Sequence, residues 1–302
     1  MSEDKVIKIV THNAGFHTDD VFAVATLSLI FEKEGKQFSI TRSRDADVIN
    51  SADYVLDVGG VYDKEKNKFD HHQEGKAGER ENGIPYASFG LVWNKFGEQL
   101  CGSKEVADKI DKKLVQPIDA LDNGVKLIKP EIDGVFPFDI GSMVFMFYPT
   151  WKEESANIDR TFIQLVSNAK FLLNRIIVFT KDEIEAEKFV IDAYHNSVDK
   201  RLIVVENNKY PWNEVLIRFP EPLFAIYRNI NNDTWSMKGI RDDISSYMLR
   251  KNLPQSWAGK TGGELDKITG VEGCVFCHNN LFMAVNKTKD GILKMANIAL
   301  RE

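Results

Sequence analysis

Apolar and polar positions along the first third of the chain follow a strand–helix–strand rhythm. Residues 5–11 read as a buried strand, 19–33 as a helix and 38–42 as a second strand. Phe22, Ala25 and Leu29 recur at the i, i+3, i+7 spacing of one helix face, and Thr18 or Asp19 can cap the N-terminus of that helix. Residues 54–58 and 68–70 supply two more strands, the second reached through a charged turn over 63–67. Strands joined by crossover helices predict a mainly parallel sheet with helices on both faces.

From Pro85 the pattern turns helical, with helices expected over 86–96, 105–121 and 140–147. Two further helices, 154–179 and 182–200, form a long stretch with few breakers that is expected to connect two domains. Beyond it, residues 201–206, 216–219, 223–229, 235–240, 275–277 and 282–285 read as short strands, and 289–300 as a closing helix. The expected organisation is an α/β domain over residues 1–180, then a linker helix and a smaller α+β domain over 181–302, with an active cleft between them.

Composition narrows the class. The 302 residues are 43% hydrophobic and 28% charged, the balance of an ordinary globular protein. No run approaches the roughly 18 to 20 apolar residues that span a bilayer. Residues 1–5 have neither the basic region nor the apolar core of a signal peptide, so a cytosolic or nuclear location without membrane partners is expected. Cys101, Cys274 and Cys277 are too few for a disulfide framework. The Cys274–Cys277 spacing would suit a metal, but it lacks the second pair of a structural zinc site and reads better as a core strand.

The net charge of −6 argues against a broad basic surface that coats DNA. Its distribution is uneven: residues 201–302 carry 14 Lys and Arg against 11 Asp and Glu, whereas residues 1–200 carry 25 against 34. An acidic half suited to cations thus precedes a mildly basic half suited to phosphates.

Candidate chemistry gathers where the first strands stop. Four of the six histidines lie within the first 72 residues. His12, His17 and Asp19 follow the first strand, Asp57 ends another ahead of Gly59 and Gly60, and Asp70-His71-His72 ends a third. Ligands of parallel sheets collect beyond the carboxyl ends of the strands. Mixed imidazole and carboxylate donors suit Mn²⁺, Co²⁺ or Zn²⁺ better than Ca²⁺.

Asp57 is the candidate for a bridge between two ions, because a carboxylate can offer one oxygen to each. Phe16 should turn inward and leave His17 and Asp19 on one side of their loop. Asp119 and Asp122, three residues apart on one helix face, are the candidates for a ligand from further along, and spacing does not separate them. Neighbouring strand residues face opposite ways, so His71 is expected to bind metal while His72 meets the scissile phosphate or acts as an acid. Asp70 is a candidate to fix an imidazole tautomer. Asp20, Asp45, Asp47 and Asp63 read as solvated turn residues.

These motifs, Thr11-His12-Asn13 with Phe16-His17 and Asp19-Asp20, then the run from Asp57 to Asp63, then Phe69-Asp70-His71-His72-Gln73, resemble the melanocyte proliferating gene exonuclease family. The segments 115–124 and 270–278 are similar to that family's later signatures. The family looks like a branch of the DHH phosphoesterase superfamily. The resemblance implies a DHH-type mainly parallel sheet domain with flanking helices, and a 3′-to-5′ exonuclease on single-stranded RNA. It also implies a divalent metal, often Mn²⁺, with Mg²⁺ as an alternative, and a C-terminal domain that handles nucleic acid. It makes His12, His17, Asp19, Asp57, His71 and Asp122 or Asp119 the metal ligands. In the first motif His17 stands where the superfamily usually has a carboxylate.

In the second domain, His278, Asn279, Lys287, Gly262 and Gly263 are candidates for substrate contact, since glycine-rich backbone can offer N–H groups, and lysine a charge, to phosphate. Trp235, Tyr227 and Arg228 are candidates for stacking or pairing with a nucleotide, against the commoner role of aromatic strand residues in a core. The chain is thus expected to be a two-metal phosphodiesterase with an RNA or oligonucleotide partner, and a homo-oligomer is compatible with it. The competing readings are a hydrolase of short oligonucleotides or of a small phosphoanhydride, and a metal-binding regulatory protein without turnover.

Overall fold

The computed structural model describes residues 5–153, 157–243 and 246–302. Residues 1–4, on which the reading of the N-terminus partly rests, and the start of the helix expected over 154–179 lie outside the described residues. The protein is a mixed α/β chain with two five-stranded sheets among the described residues, dividing into units of residues 1–180 and 181–302.

In the first unit the strands are β1 (Ile7–Thr11), β2 (Phe38–Arg42), β3 (Tyr54–Leu56), β4 (Tyr62–Asp63) and β5 (Lys68–Phe69). Their order is β2-β1-β3-β5-β4, parallel except for the antiparallel edge strand β4. The carboxyl ends of β1, β3 and β5 therefore meet at one edge, which brings His12, Asp57 and His71 together.

Helix α1 (Thr18–Lys33) is buried from Asp19 to Phe31, with no solvent stripe over that span. Such a helix is interior, and this explains why its sequence shows only a weak polar face. The helices α2 (Ala46–Asn50) and α3 (Ser88–Cys101) follow, and α3 ends on Gly102 in the left-handed conformation. The helix expected over 105–121 is divided into α4 (Lys104–Ile110), a π turn over Asp111–Val115 and α5 (Gln116–Asp122). Pro117 lacks an N–H, and the expanded turn before it accommodates the missing hydrogen bond. The short α6 (Ile140–Phe145) comes next.

In place of the two expected helices, a single helix α7 (Ile158–Asn196) continues from the first unit into the second, since neither Thr180 nor Lys181 breaks a helix. By length and composition it could cross a membrane, with a mean hydropathy of 1.3 over 18 residues, 33% of them buried. Its apolar stretch is not unbroken, because Lys170 and Arg175 are interspersed.

The second unit holds β6 (Leu202–Val205), α8 (Trp212–Leu216), β7 (Phe224–Asn229), β8 (Thr234–Gly239), α9 (Gly262–Thr269), β9 (Cys274–Cys277), β10 (Met283–Asn286) and α10 (Lys289–Arg301). The sheet order is β6-β7-β8-β10-β9, parallel only between β6 and β7. One face packs Phe224, Ile226, Met237 and Ala284 with Trp257 and Met295; the other packs Ala225 and Tyr227 with Val190, Tyr194 and Val215. The strand expected over 216–219 is instead the end and aftermath of α8, because Val215 and Leu216 bury themselves from a helical turn. Cys274 and Cys277 are buried in the first of these cores.

Candidate metal centre

Asp57 follows β3 with a backbone φ of 54°, a left-handed conformation that is uncommon outside glycine and costs on the order of 1 kcal/mol. That turn aims its carboxylate along the sheet edge. Oδ2 lies 3.2 Å from His12 Nε2, and Oδ1 lies 3.2 Å from His71 Nε2 and 3.5 Å from His72 Nδ1. The two oxygens of one buried carboxylate thus face different histidine groups.

His12 also meets Asp20 Oδ2 at 3.2 Å, and His71 meets Asp122 Oδ2 at 3.1 Å. None of these contacts is aligned as a hydrogen bond: both oxygens of Asp57, both of Asp19, Oδ2 of Asp20, and Nε2 of His12 and of His71 are buried without a hydrogen-bond partner. Stranding so many polar atoms is costly unless something else satisfies them. Three overlapping groups converge closely enough to share a cation: His12, His17 and Asp57; Asp57, His71 and His72; and His17, Asp19 and Asp122. Convergent, orphaned oxygen and nitrogen donors fit a divalent metal, and Asp57 belongs to two of the three groups. No cysteine enters such a group among the described residues.

The electrostatics follow from crowding. Burial opposes the charged forms of His12 and His71, yet the adjacent carboxylates outweigh it and hold both pKa values at about 10. Burial tends to raise Asp57, but His12 and His71 overcome it and keep Asp57 below the usual carboxylate range. Asp19 has no cationic partner among the described residues, so burial, then Asp57 and Asp122, push it well up.

The loop that carries His12 and His17 is braced from several directions. The buried guanidinium of Arg42 donates to the carbonyls of Ala14 and Gly15 and pairs with Asp159 at 2.7 Å. Arg44 donates to the carbonyl of Asn13. Phe16 is buried, packed 4.4 Å from the ring of Tyr148. His17 caps α1, and its N–H donates to Asp20 Oδ1 at 2.9 Å. Asp20, expected to be a solvated turn residue, is in fact fully buried at the metal centre. Its signal was its position three residues after a helix cap, visible only once the helix is known to begin at Thr18.

Asp119 and Asp122 part company. Asp119 is fully buried, accepts from Gly90 N–H at 2.9 Å and pairs with Arg80 at 2.8 Å, so it is turned away from the histidines and enters none of the convergent groups. Burial pushes Asp119 up to about 7 against the pull of Arg80. Asp122, one turn on, reaches His71. Because β5 ends at Phe69, His71 and His72 are not held to opposite faces; their rings lie 4.3 Å apart. Asp70 accepts from Gly60 N–H at 2.5 Å and lies 2.7 Å from His72 Nδ1, so the imidazole it orients is that of His72.

A pocket of about 770 Å³ opens beside these residues, lined by His17, Asp19, His71, His72 and Asp122 on its polar side. All of its lining residues belong to the first unit. In the second unit, Asn279 faces Gly259, where an added Cβ would stand 3.4 Å from Asn279 Oδ1, and the His278 ring packs 4.2 Å from Phe282. Gly262 and Gly263 form the start of α9. Lys287 is not beside His278: its N–H bonds to Gly273, at the opposite end of the β9–β10 pair. Trp235 and Tyr227 are buried in the two cores, and Arg228 pairs with Asp233 at 2.6 Å.

Similarity to known proteins runs the length of the chain. The MYG1 protein C27H6.8 of Caenorhabditis elegans is 30% identical over 97% of this chain and 94% of its own. The human MYG1 exonuclease is 29% identical over 98% of this chain and 86% of its own. Among solved structures, RecJ in complex with Mn²⁺ from Thermus thermophilus aligns with 98% of this chain at 9% identity and a TM-score of 0.30, and the chain spans about half of its length, 52%. The family model MYG1_exonuc, described as an uncharacterised protein family (UPF0160), matches residues 8–300, and the chain belongs to that family.

Proposed function

We propose that this chain is a divalent-metal-dependent phosphodiesterase that removes nucleotides from the 3′ end of single-stranded RNA. The observation that carries the reading is Asp57, whose two buried oxygens face His12 and His71 at 3.2 Å without hydrogen bonds. The exonuclease name of the human relative supports the reaction class. RNA and the 3′ direction rest on the motif resemblance.

His12, His17, Asp19, Asp57, His71 and Asp122 would hold the metal, with Asp57 shared between two positions. When bound, such cations neutralise phosphate charge and lower the pKa of water. Mixed nitrogen and oxygen donors favour Mn²⁺ over Mg²⁺, with Co²⁺ and Zn²⁺ as alternatives. Asp70 fixes the His72 imidazole through Nδ1, and the side chain, 59% exposed, leaves Nε2 to the pocket. His72 is therefore the group assigned to the scissile phosphate and to the proton of the leaving oxygen. Lys76 is the one lysine or arginine among the described residues lining the pocket, which suits a phosphodiester better than a pyrophosphate.

The test is electrophoresis of end-labelled single-stranded RNA and DNA after incubation with Mn²⁺ or Mg²⁺. RNA shortening stepwise from its 3′ end, abolished by Asp57→Asn, is the expected result. An Asp57→Asn protein with wild-type activity overturns it.

A further inference from the structure

The pocket is lined by apolar residues as well as by the metal-binding ones. Ile140, Val144, Phe145 and Tyr148 are among them with Leu121, and four of these five come from α6 and the turn after it. Phe145 is 64% exposed, although burying a side chain of that size is worth about 2 kcal/mol or more. Its ring stands 5.5 Å from that of Tyr148 at an angle of 34°, and Tyr148 packs in turn on Phe16. These spacings are those of interacting aromatic pairs.

Tyr148 is not free to swing: its hydroxyl accepts from Phe16 N–H at 2.6 Å and donates to the Phe16 carbonyl. A fixed ring packed against the loop that carries His17 thus stands beside an exposed one. The carboxylates of the pocket can receive a phosphate only through cations, so its apolar lining is left for an uncharged, flat group. Gln73 lines the same pocket, and its Oε1 is buried without a hydrogen-bond partner, an acceptor suited to a hydroxyl or amino hydrogen. The volume of about 770 Å³ lies within the range of roughly 300 to 1,000 Å³ typical of small-molecule sites.

Building on the phosphodiesterase reading, we propose that Phe145 and Tyr148 form a stacking subsite for the base of the nucleotide at the scissile end. Every base has a π face, so such a subsite grips single strands without selecting sequence. Phe145 is a binding residue in this arrangement, and Tyr148 both binds and keeps the metal loop in place.

The experiment compares a short RNA carrying all its bases with versions abasic at the 3′ or the 5′ terminal nucleotide, using full-length wild-type and Phe145→Ala proteins with Mn²⁺. Wild type is expected to show a KM on the order of tenfold higher for the RNA abasic at the attacked end, the effect of one lost base stack. Phe145→Ala should raise KM for the intact RNA similarly, leave kcat within about twofold and erase the difference between intact and abasic ends. Phe145→Trp should restore it. Because Phe145 is exposed, its truncation leaves the core untouched. Equal KM values for intact and abasic RNAs in wild type, or discrimination that survives Phe145→Ala, overturns the subsite while leaving the nuclease reading intact. No metal-dependent cleavage of any RNA by wild type overturns both.

Discussion

The hydroxyl of Tyr148 grips both polar groups of the Phe16 backbone, accepting its N–H at 2.6 Å and donating to its carbonyl. The two residues are 132 positions apart, yet this contact sets the backbone between His12 and His17. Gly15 is part of the same fit, since a Cβ there would stand 2.9 Å from the Tyr148 hydroxyl.

Removing that hydroxyl by Tyr148→Phe should therefore loosen the metal loop. The Phe16 backbone loses partners it cannot easily replace, at a cost of about 2 kcal/mol. Urea unfolding should register that loss. Metal titration by calorimetry should give on the order of tenfold weaker affinity, as expected for a group that orients ligands without touching the ion. Unchanged metal affinity would mean that the loop holds its shape unaided.

Asp57 separates a charge effect from a backbone effect. Asn tolerates left-handed φ better than most residues, so Asp57→Asn should keep the fold while activity falls at least on the order of 10²-fold. Asp57→Ala should lose activity to the same extent and also be less stable than Asp57→Asn by about 1 kcal/mol, because the backbone strain remains without a side chain suited to it. Thermal unfolding of the two metal-free variants, run side by side, checks the difference. Equal midpoints would remove the strain argument.

Much of this edge is legible in the sequence because it depends on strand ends. His12, Asp57 and His71 each follow a strand of one parallel sheet, and the topology of such a sheet brings those ends together. Asp20 and Tyr148 are not legible in that way. The first depends on one residue of difference in where α1 begins, and the second on a contact across more than a hundred residues. The separation of Lys287 from His278 is hidden for a similar reason: they are nine residues apart, but a hairpin sends them to opposite ends. The helical turn of α8 reads as a strand because a handful of apolar-rich residues satisfies either period.

Gly90, in the first turn of α3, makes a prediction about Asp119. A Cβ at that position would stand 1.8 Å from Asp119 Oδ2 and 2.8 Å from Arg80 Nη2. Gly90→Ala must push a fully buried carboxylate off its guanidinium, so it should destabilise the protein by about 3 kcal/mol, at the upper end for overpacking. Ordinarily an alanine replacing a glycine in a helix is favourable. A urea midpoint at or above that of wild type would show that Asp119 can move aside freely.

The raised pKa values of His12 and His71 make the stability of the metal-free protein depend on pH. Both stand at about 10 in the fold against an ordinary value of 6.5, so between those limits the folded chain binds more protons than the unfolded one. Stability falls with rising pH wherever the folded state holds the extra protons. The contribution of these two groups is therefore fully present below about pH 6.5 and is lost as pH rises toward about 10. Raised Asp19 acts with the same sign. A bound cation reverses the balance by displacing the imidazole protons, up to about two per protein at about pH 8. The midpoint of thermal unfolding of chelator-treated protein should accordingly fall between about pH 7 and about pH 9, whereas the gain on adding Mn²⁺ should grow over the same range. Proton release on Mn²⁺ binding, read in a weakly buffered solution at about pH 8, measures the displacement directly. If no protons leave, the imidazoles do not lie between the carboxylates as charged groups, and the cation does not take their place.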